Sequence, residues 1–373
     1  MSAIHVRFGK SLDRDAEKAV RELAAQVGGI EPEALLFFCS PKYDLAALGR
    51  AIKATFDCPA IGCTTAGEIL GGEGYIEDSI VCAAIDSEKL TMKPIFIDGL
   101  RAFVDKAAPE ELKALAGADR KRSFTLLLID GLSQLEEEVV AVIGQALAGI
   151  PLIGASAGDS LDFRHTHVYH DGAFHEDAAV LALFETSLPF MPLYIQHFEP
   201  TEARLVITEA DVTTRTVMEI NGVPAVEGYA EAVGTAFDEL NPQVFAAHPV
   251  MLRIGGEYHV RSIQKANPDG SLTFFCAIDT GLVLTMAQHS ASLVDNLDAG
   301  LAAIRQTIPR PALIFISDCI LRRLEMQQYG EIERAREVLS QYPLIGFSTY
   351  GEQFGSVHVN HTLTALVLGD ETQ

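Results

Sequence analysis

The sequence predicts an α/β protein, with repeated β-α-β units forming largely parallel or mixed sheets and an antiparallel β-meander in a second domain. Three observations carry that expectation. Three segments repeat one order: an apolar run, an amphipathic stretch of about four turns, a short apolar run opened by proline, then a polar loop bounded by glycines. Their apolar runs are continuous rather than alternating, as in strands buried on both faces. From about residue 191 to 285 the pattern changes to apolar–polar alternation, as in Leu205-Val-Ile-Thr and Tyr258-His-Val-Arg-Ser-Ile263.

In the first unit Ala34–Cys39 reads as strand and Asp44–Phe56 as helix, followed by Pro59-Ala-Ile-Gly62-Cys-Thr-Thr-Ala-Gly67-Glu68. The second has strand Phe124–Ile129, helix Gln134–Ala148 and Pro151-Leu-Ile-Gly154-Ala-Ser-Ala-Gly158-Asp159. The third has strand Ala312–Ile316, helix Gly330–Gln341 and Pro343-Leu-Ile-Gly346-Phe-Ser-Thr-Tyr-Gly351-Glu352. After each loop an apolar strand returns: Ile80–Ile85, Ala178–Phe184 and Leu363–Leu368. A crossover helix lets the two strands it joins lie parallel, with a right-handed connection. Turn signals at Asn221-Gly222 and Asn267-Pro-Asp-Gly270 punctuate the meander, and Leu293–Ile304 reads as the helix leading into the third unit. The expected division is residues 1–190, with two units, and 191–373, with the meander and the third unit. The boundary is placed at Pro189-Phe-Met-Pro192.

The 373 residues are 48% apolar and 21% charged, a globular composition with room for large cores. A formal net charge of −23 repels phosphate backbones and anionic lipid, which argues against nucleic-acid and membrane-surface roles. The six cysteines form no C-x-x-C pair, and several lie in apolar runs, as expected of reduced, buried thiols in a cytoplasmic protein. No uncharged apolar run approaches the roughly 18 residues that span a bilayer.

The glycine-bounded loops fall at the carboxyl ends of strands, where open α/β sheets hold ligands. Thr64, Thr65, Ser156, Ser348 and Thr349 are therefore candidate ligand-binding residues, with Tyr350 and Glu352 beside them. The competing reading is that glycine makes the turn and the hydroxyls cap backbone groups. The second loop also spells G-x-S-x-G, the pattern of a hydrolase nucleophile elbow. That elbow needs a helix directly after Ser156, whereas Asp159-Ser-Leu-Asp-Phe-Arg reads as extended. Neither a Walker A nor a GxGxxG fingerprint is present. The expectation is a binding protein rather than an enzyme.

Phe38-Cys-Ser-Pro-Lys-Tyr-Asp-Leu45, with Ile61-Gly-Cys-Thr-Thr-Ala-Gly-Glu68, resembles the amino-terminal FIST domain. Leu128-Ile-Asp-Gly-Leu-Ser133 and Gly154-Ala-Ser-Ala-Gly-Asp159 share the resemblance. Tyr258-His-Val-Arg-Ser-Ile263, Asp318-Cys-Ile-Leu-Arg-Arg-Leu-Glu325 and Gly346-Phe-Ser-Thr-Tyr-Gly-Glu352 are similar to the carboxyl-terminal FIST domain. The likeness runs from about residue 30 to 369. It implies a small-ligand sensory module of bacterial signal transduction. The nearest likeness is to a stand-alone branch described as haem-containing nitric-oxide sensors that regulate histidine kinases. Only Asp370-Glu-Thr-Gln373 follows the last strand, so signalling in trans to a histidine kinase or similar partner is expected. One departure is His358-Val-Asn-His361-Thr, which places a histidine at 361 where the family pattern has none.

If haem is bound, imidazole is the expected axial ligand, and His358 and His170 lie nearest the polar loops. His165, His167 and His170 form an H-x-H-x-x-H run in which only the first two share a strand face. Arg322 and Arg323, just after the third unit's first strand, and Arg261, on an alternating strand, are candidate clamps for a carboxylate. The carboxylate belongs either to a haem propionate or, in the alternative reading without haem, to an amino acid or other small organic solute. Cys319 reads as a buried small hydrophobe rather than a thiolate ligand.

Overall fold

A computed structural model of the chain describes residues 3–106, 112, 115 and 117–370. The first unit comprises β1 (His5–Ser11), α1 (Ala16–Val27), β2 (Ala34–Cys39), α2 (Leu45–Thr55), β3 (Ala60–Thr64), the hairpin β4 (Glu68–Leu70) and β5 (Gly74–Ile76), and β6 (Ile80–Asp86). The second comprises β7 (Leu90–Asp98), α3 (Leu100–Val104), β8 (Ser123–Ile129), α4 (Glu136–Leu147), β9 (Leu152–Ser156), the hairpin β10 (Val168–His170) and β11 (Ala173–His175), and β12 (Ala178–Thr186). As the repeats predict, β2 pairs parallel with β3 and β8 with β9, and the returning strands β6 and β12 pair antiparallel with β2 and β8. Local signals set the helix starts: Asp44 caps α2 by accepting from the Ala47 amide at 2.9 Å, and Asp15 caps α1 through the Lys18 amide at 2.8 Å.

The third unit is interrupted. Its edge strand β13 (Phe190–Ile195) is followed by a long insertion running from β14 (Phe198–Asp211) to β21 (Val283–His289) with α5 (Ala225–Val233) and α6 (Pro242–Ala247), after which come α7 (Leu293–Thr307) and β22 (Pro311–Cys319). The unit ends with α8 (Ile320–Gln328), α9 (Ile332–Leu339), β23 (Leu344–Thr349), the hairpin β24 (Glu352–Phe354) and β25 (Val357–Val359), and β26 (Leu363–Gly369). The insertion is a curled antiparallel meander around Leu205, Ile207, Val217, Tyr229, Phe245 and Phe274. Arg215, buried at a turn of the meander, fastens it to the second unit. Its guanidinium bonds Glu136 at 2.5 Å, Glu137, and the Phe275 carbonyl at 2.8 Å.

The three sheets have one plan. Their orders are β1-β6-β2-β3-β10-β11, β7-β12-β8-β9-β24-β25 and β13-β26-β22-β23-β4-β5. In each, the last two strands are a hairpin donated by another unit: the first donates to the third, the second to the first, the third to the second. The exchange closes a ring, so no unit completes its own sheet. Inward faces meet in one core where the Phe38 ring lies 4.6 Å from Phe347 and 5.6 Å from Phe315. Outward faces are covered by helices, as Leu35, Phe37 and Cys39 are by α1 and α2. This two-sided burial explains why the central strands read as unbroken apolar runs.

Candidate functional site

The three glycine-bounded loops interlock around the ring. The Ser348 amide donates to the Gly67 carbonyl at 2.7 Å, and the Ala66 amide donates to Ser348 at 3.0 Å. In the same way Thr64 donates to His167 at 2.9 Å and receives from Gly158 at 3.0 Å, while Ser156 donates to Gly351 at 2.8 Å and receives from Tyr350 at 3.3 Å. Thr64, Ser156 and Ser348 thus hold equivalent, fully buried positions. The Thr64 hydroxyl accepts from the His167 amide at 3.0 Å and that of Ser156 from Gln353 Nε2 at 3.0 Å. The Ser348 hydroxyl has no partner among the described residues. The opening glycines do not adopt positive φ. A Cβ on Gly62 or Gly346 would strike the Phe37 or Ile316 carbonyl of the paired strand, so close approach is what requires glycine there. Gly67 does lie at φ +123°, and a Cβ on it would strike the Arg323 guanidinium.

Two of the loops enclose a carboxyl group. Thr65 Oγ1 donates to Glu68 at 2.5 Å and Ser79 Oγ at 2.6 Å. At the equivalent place Glu352 receives the hydroxyls of Thr349 and of Thr362, the latter at 2.6 Å. Burial outweighs these hydrogen bonds, pushing the Glu68 carboxyl up to about 7 and that of Glu352 to about 8. Thr65 and Thr349 therefore serve these buried acids. Tyr350 turns instead to the second loop, where its hydroxyl bonds Asp159 and accepts from the Leu161 amide at 2.8 Å.

The loops leave a cleft of about 220 Å³ where all three units meet. Gly67 and Glu68 come from the first unit, Ser160 and Leu161 from the second, and Ile320, Arg323 and Gln327 from α8 of the third. Arg323 is the buried cation of this cleft. Its guanidinium bonds Glu77 and, at 3.2 Å, the Ala66 carbonyl, and lies 5.7 Å above the Tyr75 ring; Nε has no partner among the described residues. Lys42 reaches the same cleft and pairs with Asp78 at 2.7 Å. The lining therefore offers two cations, Arg323 and Lys42, and three carboxyl groups, of Glu68, Glu77 and Asp78. The other arginines face elsewhere: Arg322 is fully buried on Asp318 at 2.6 Å, and Arg261 bonds the His358 carbonyl at 3.3 Å.

The FIST N domain family matches residues 33–223 and the FIST C domain family residues 225–355. The chain belongs to the FIST family. FIST domains are sensory domains of signal transduction. An uncharacterised protein of Methanocaldococcus jannaschii is 23% identical to this FIST chain over 354 residues, covering 82% of the chain and 67% of that protein. A crystal structure of cyanuric acid hydrolase from A. caulinodans aligns over 99% of the chain and 100% of its own length at 10% identity, with a TM-score of 0.34, a likeness too slight to carry an argument. No helix among the described residues is long and apolar enough to cross a membrane.

Seven of the eleven histidines of this FIST protein fall into three groups. His358 is enclosed on all sides, with Nδ1 on Gln353 at 3.1 Å and Nε2 on the Phe275 carbonyl at 3.4 Å, and burial lowers its pKa to about 4. His170 stacks on Phe96 at 4.8 Å, while His165 and His167 both reach Glu176, at 2.7 and 3.2 Å. The third group is one that sequence reasoning missed. His197, His289 and His361 all point Nε2 at Glu325, at 3.0, 2.8 and 3.0 Å. Only His361 carried a signal, as a departure from the family pattern. The other members are too far apart in sequence to form a spacing motif.

Proposed function

We propose that this protein is a non-catalytic sensory module whose ligand is a small zwitterionic solute, such as an amino acid, held in the cleft where the three loops meet. The observation that carries this reading is the lining of that cleft. A ligand carboxylate would take the Arg323 guanidinium through a two-pronged contact, and a ligand ammonium would take Glu77 or Asp78. The present Arg323–Glu77 and Lys42–Asp78 pairs balance these charges without ligand, and Arg323 Nε is left to be satisfied by it. The size agrees, since about 220 Å³ lies below the ~300 Å³ at which pockets for drug-sized molecules begin. Contributions from all three units give binding a means of changing how they sit together, which a partner in trans, a histidine kinase or similar protein, would read.

Haem and nitric-oxide sensing fit these residues poorly. Both ring nitrogens of His358 are turned to protein groups, and His170 is stacked on a phenylalanine. Hydrolysis at Ser156 is likewise unsupported, because the hydroxyl is fully buried and its neighbour is Gln353 rather than a base.

The test is a thermal-shift screen of the purified protein against amino acids, small dicarboxylates and amines. A ligand at 100 times its Kd adds about 2.7 kcal/mol. With an unfolding entropy of about 2.1 cal/mol/K per residue, that raises Tm by about 3 °C in a chain of 373 residues. Amino acids should shift wild type and leave Arg323→Ala unmoved. A Soret band in protein produced with haem precursor would sink this reading in favour of the haem one.

A further inference from the structure

We infer that His197, His289 and Glu325 form a binding site for a divalent first-row transition-metal ion, with His361 holding the second oxygen of Glu325. The site lies apart from the three-loop cleft and does not depend on it. The His197, His289 and Glu325 ligand atoms all lie within 4.8 Å of one another. Glu325 Oε1 is 2.8 Å from His289 Nε2 and 3.2 Å from His197 Nε2, while Oε2 receives His361 Nε2 at 3.0 Å. Metal–ligand bonds of 2.0–2.1 Å in tetrahedral geometry separate ligand atoms by about 3.3 Å. Both imidazole-to-Glu325 distances already lie near that spacing, and the two imidazoles, within 4.8 Å of each other, would draw together around an ion.

The surroundings favour a built site over a chance meeting of polar groups. Glu325 and two of the three imidazoles are buried. Phe198 packs against all three rings, at 4.1 Å from His197, 4.8 Å from His289 and 4.9 Å from His361, and fixes their planes. His361 is held at φ +55°, a backbone state that a residue other than glycine seldom takes. Behind His197, Arg322 donates from Nη1 to Nδ1 at 3.2 Å, so in the metal-free protein Nε2 carries the proton and directs it at Glu325. On loading, the Nε2 proton leaves to solvent, the ion takes its place, and the guanidinium beside Nδ1 offsets the negative charge of the resulting imidazolate. On the opposite side His289 is 34% accessible and faces a cleft lined by Ser290, Ser292, Tyr329 and Glu331. Two imidazoles and one carboxylate with open positions toward solvent match the donor set of zinc and non-haem iron sites.

The placement gives the ion a mechanical role. His197 lies where the chain enters the inserted meander and His289 where it leaves, while Glu325 and His361 belong to the third unit. A bound ion would clamp both crossings of the meander to the ring.

The experiment uses the full chain, stripped with chelator and titrated with ZnCl2 by calorimetry and with CoCl2 by visible absorption. The inference expects one ion per chain, cobalt d–d bands, and a rise in melting temperature on loading. His289→Asn, at the accessible ligand, should weaken Zn2+ binding at least 100-fold while leaving the far-UV spectrum unchanged. His361→Gln, acting through Glu325, should weaken it about 10- to 100-fold. Tyr329→Phe should change nothing. Absence of stoichiometric binding would overturn the inference. So would binding that survives His289→Asn but is lost on His165→Ala, which would place the ion on the surface pair at Glu176.

Discussion

Replacing Glu352 with glutamine isolates the energetic consequence of the interlocked loops. The carboxyl lies beneath the third loop with the hydroxyls of Thr349 and Thr362 against it, and burial, aided by nearby Asp318, raises its pKa from 4.5 to about 8. The folded protein therefore keeps a proton that the unfolded chain releases above pH 4.5. A raised acid stabilises the fold fully below pH 4.5, and this contribution is lost as pH climbs through about 8. At ~1.36 kcal/mol per unit, the whole loss is about 5 kcal/mol. Glutamine is neutral throughout and keeps the shape and hydrogen-bonding capacity of the protonated acid. Urea unfolding of both proteins from pH 5 to 8.5 should give stabilities within about 1 kcal/mol at pH 5. At pH 8.5 Glu352→Gln should be the more stable by about 4 kcal/mol. Parallel curves across this range would refute the reasoning, since they would mean that Glu352 ionises in the fold as it does in the unfolded chain.

The other predictions concern the same ring and its insertion. Glu68→Gln should behave alike but less strongly, with a window from 4.5 to about 7 and a gain of about 3 kcal/mol above it. Arg215→Met leaves Glu136 and Glu137 facing each other in a buried place and should destabilise by about 3 kcal/mol at pH 7.5 in urea titrations. That defect should shrink at pH 5, where Glu136, already raised to about 7 by burial, takes up a proton. Gly346→Ala drives a Cβ into the Ile316 carbonyl and should cost about 3 kcal/mol, measured by the same titration.

The sequence revealed the strands with a two-sided environment. Ala34–Cys39 and Phe124–Ile129 are continuous apolar runs because sheet and helix cover both their faces, and the repeated Pro-to-Gly segments locate the parallel partners. The hairpin exchange was not legible. Glu68–Leu70, Val168–His170 and Glu352–Phe354 are three residues long, too short for a period, and their partners are distant in sequence: Glu352 lies opposite Ala155. The loop hydroxyls were legible as special positions, but residue type alone does not tell a hydroxyl that binds ligand from one that serves a buried acid. Arg323 could be placed at a strand's carboxyl end. Its emergence into the cleft, while Arg322 turns into the protein, depends on α8 beginning directly after β22, with no loop or turn signal between them in the sequence to mark the change. The histidine cluster was hidden because the meander that brings His197 and His289 together separates them by 92 residues.

The most direct test of the central claim is calorimetric titration of the best amino-acid hit into wild type, Arg323→Gln and Glu77→Gln. The account predicts one site per chain in wild type and affinity at least tenfold weaker in Arg323→Gln, which removes the carboxylate-binding pole, with a smaller loss in Glu77→Gln, which leaves Asp78 to the ligand ammonium. Unchanged affinity in Arg323→Gln would contradict it and place the ligand elsewhere in the fold.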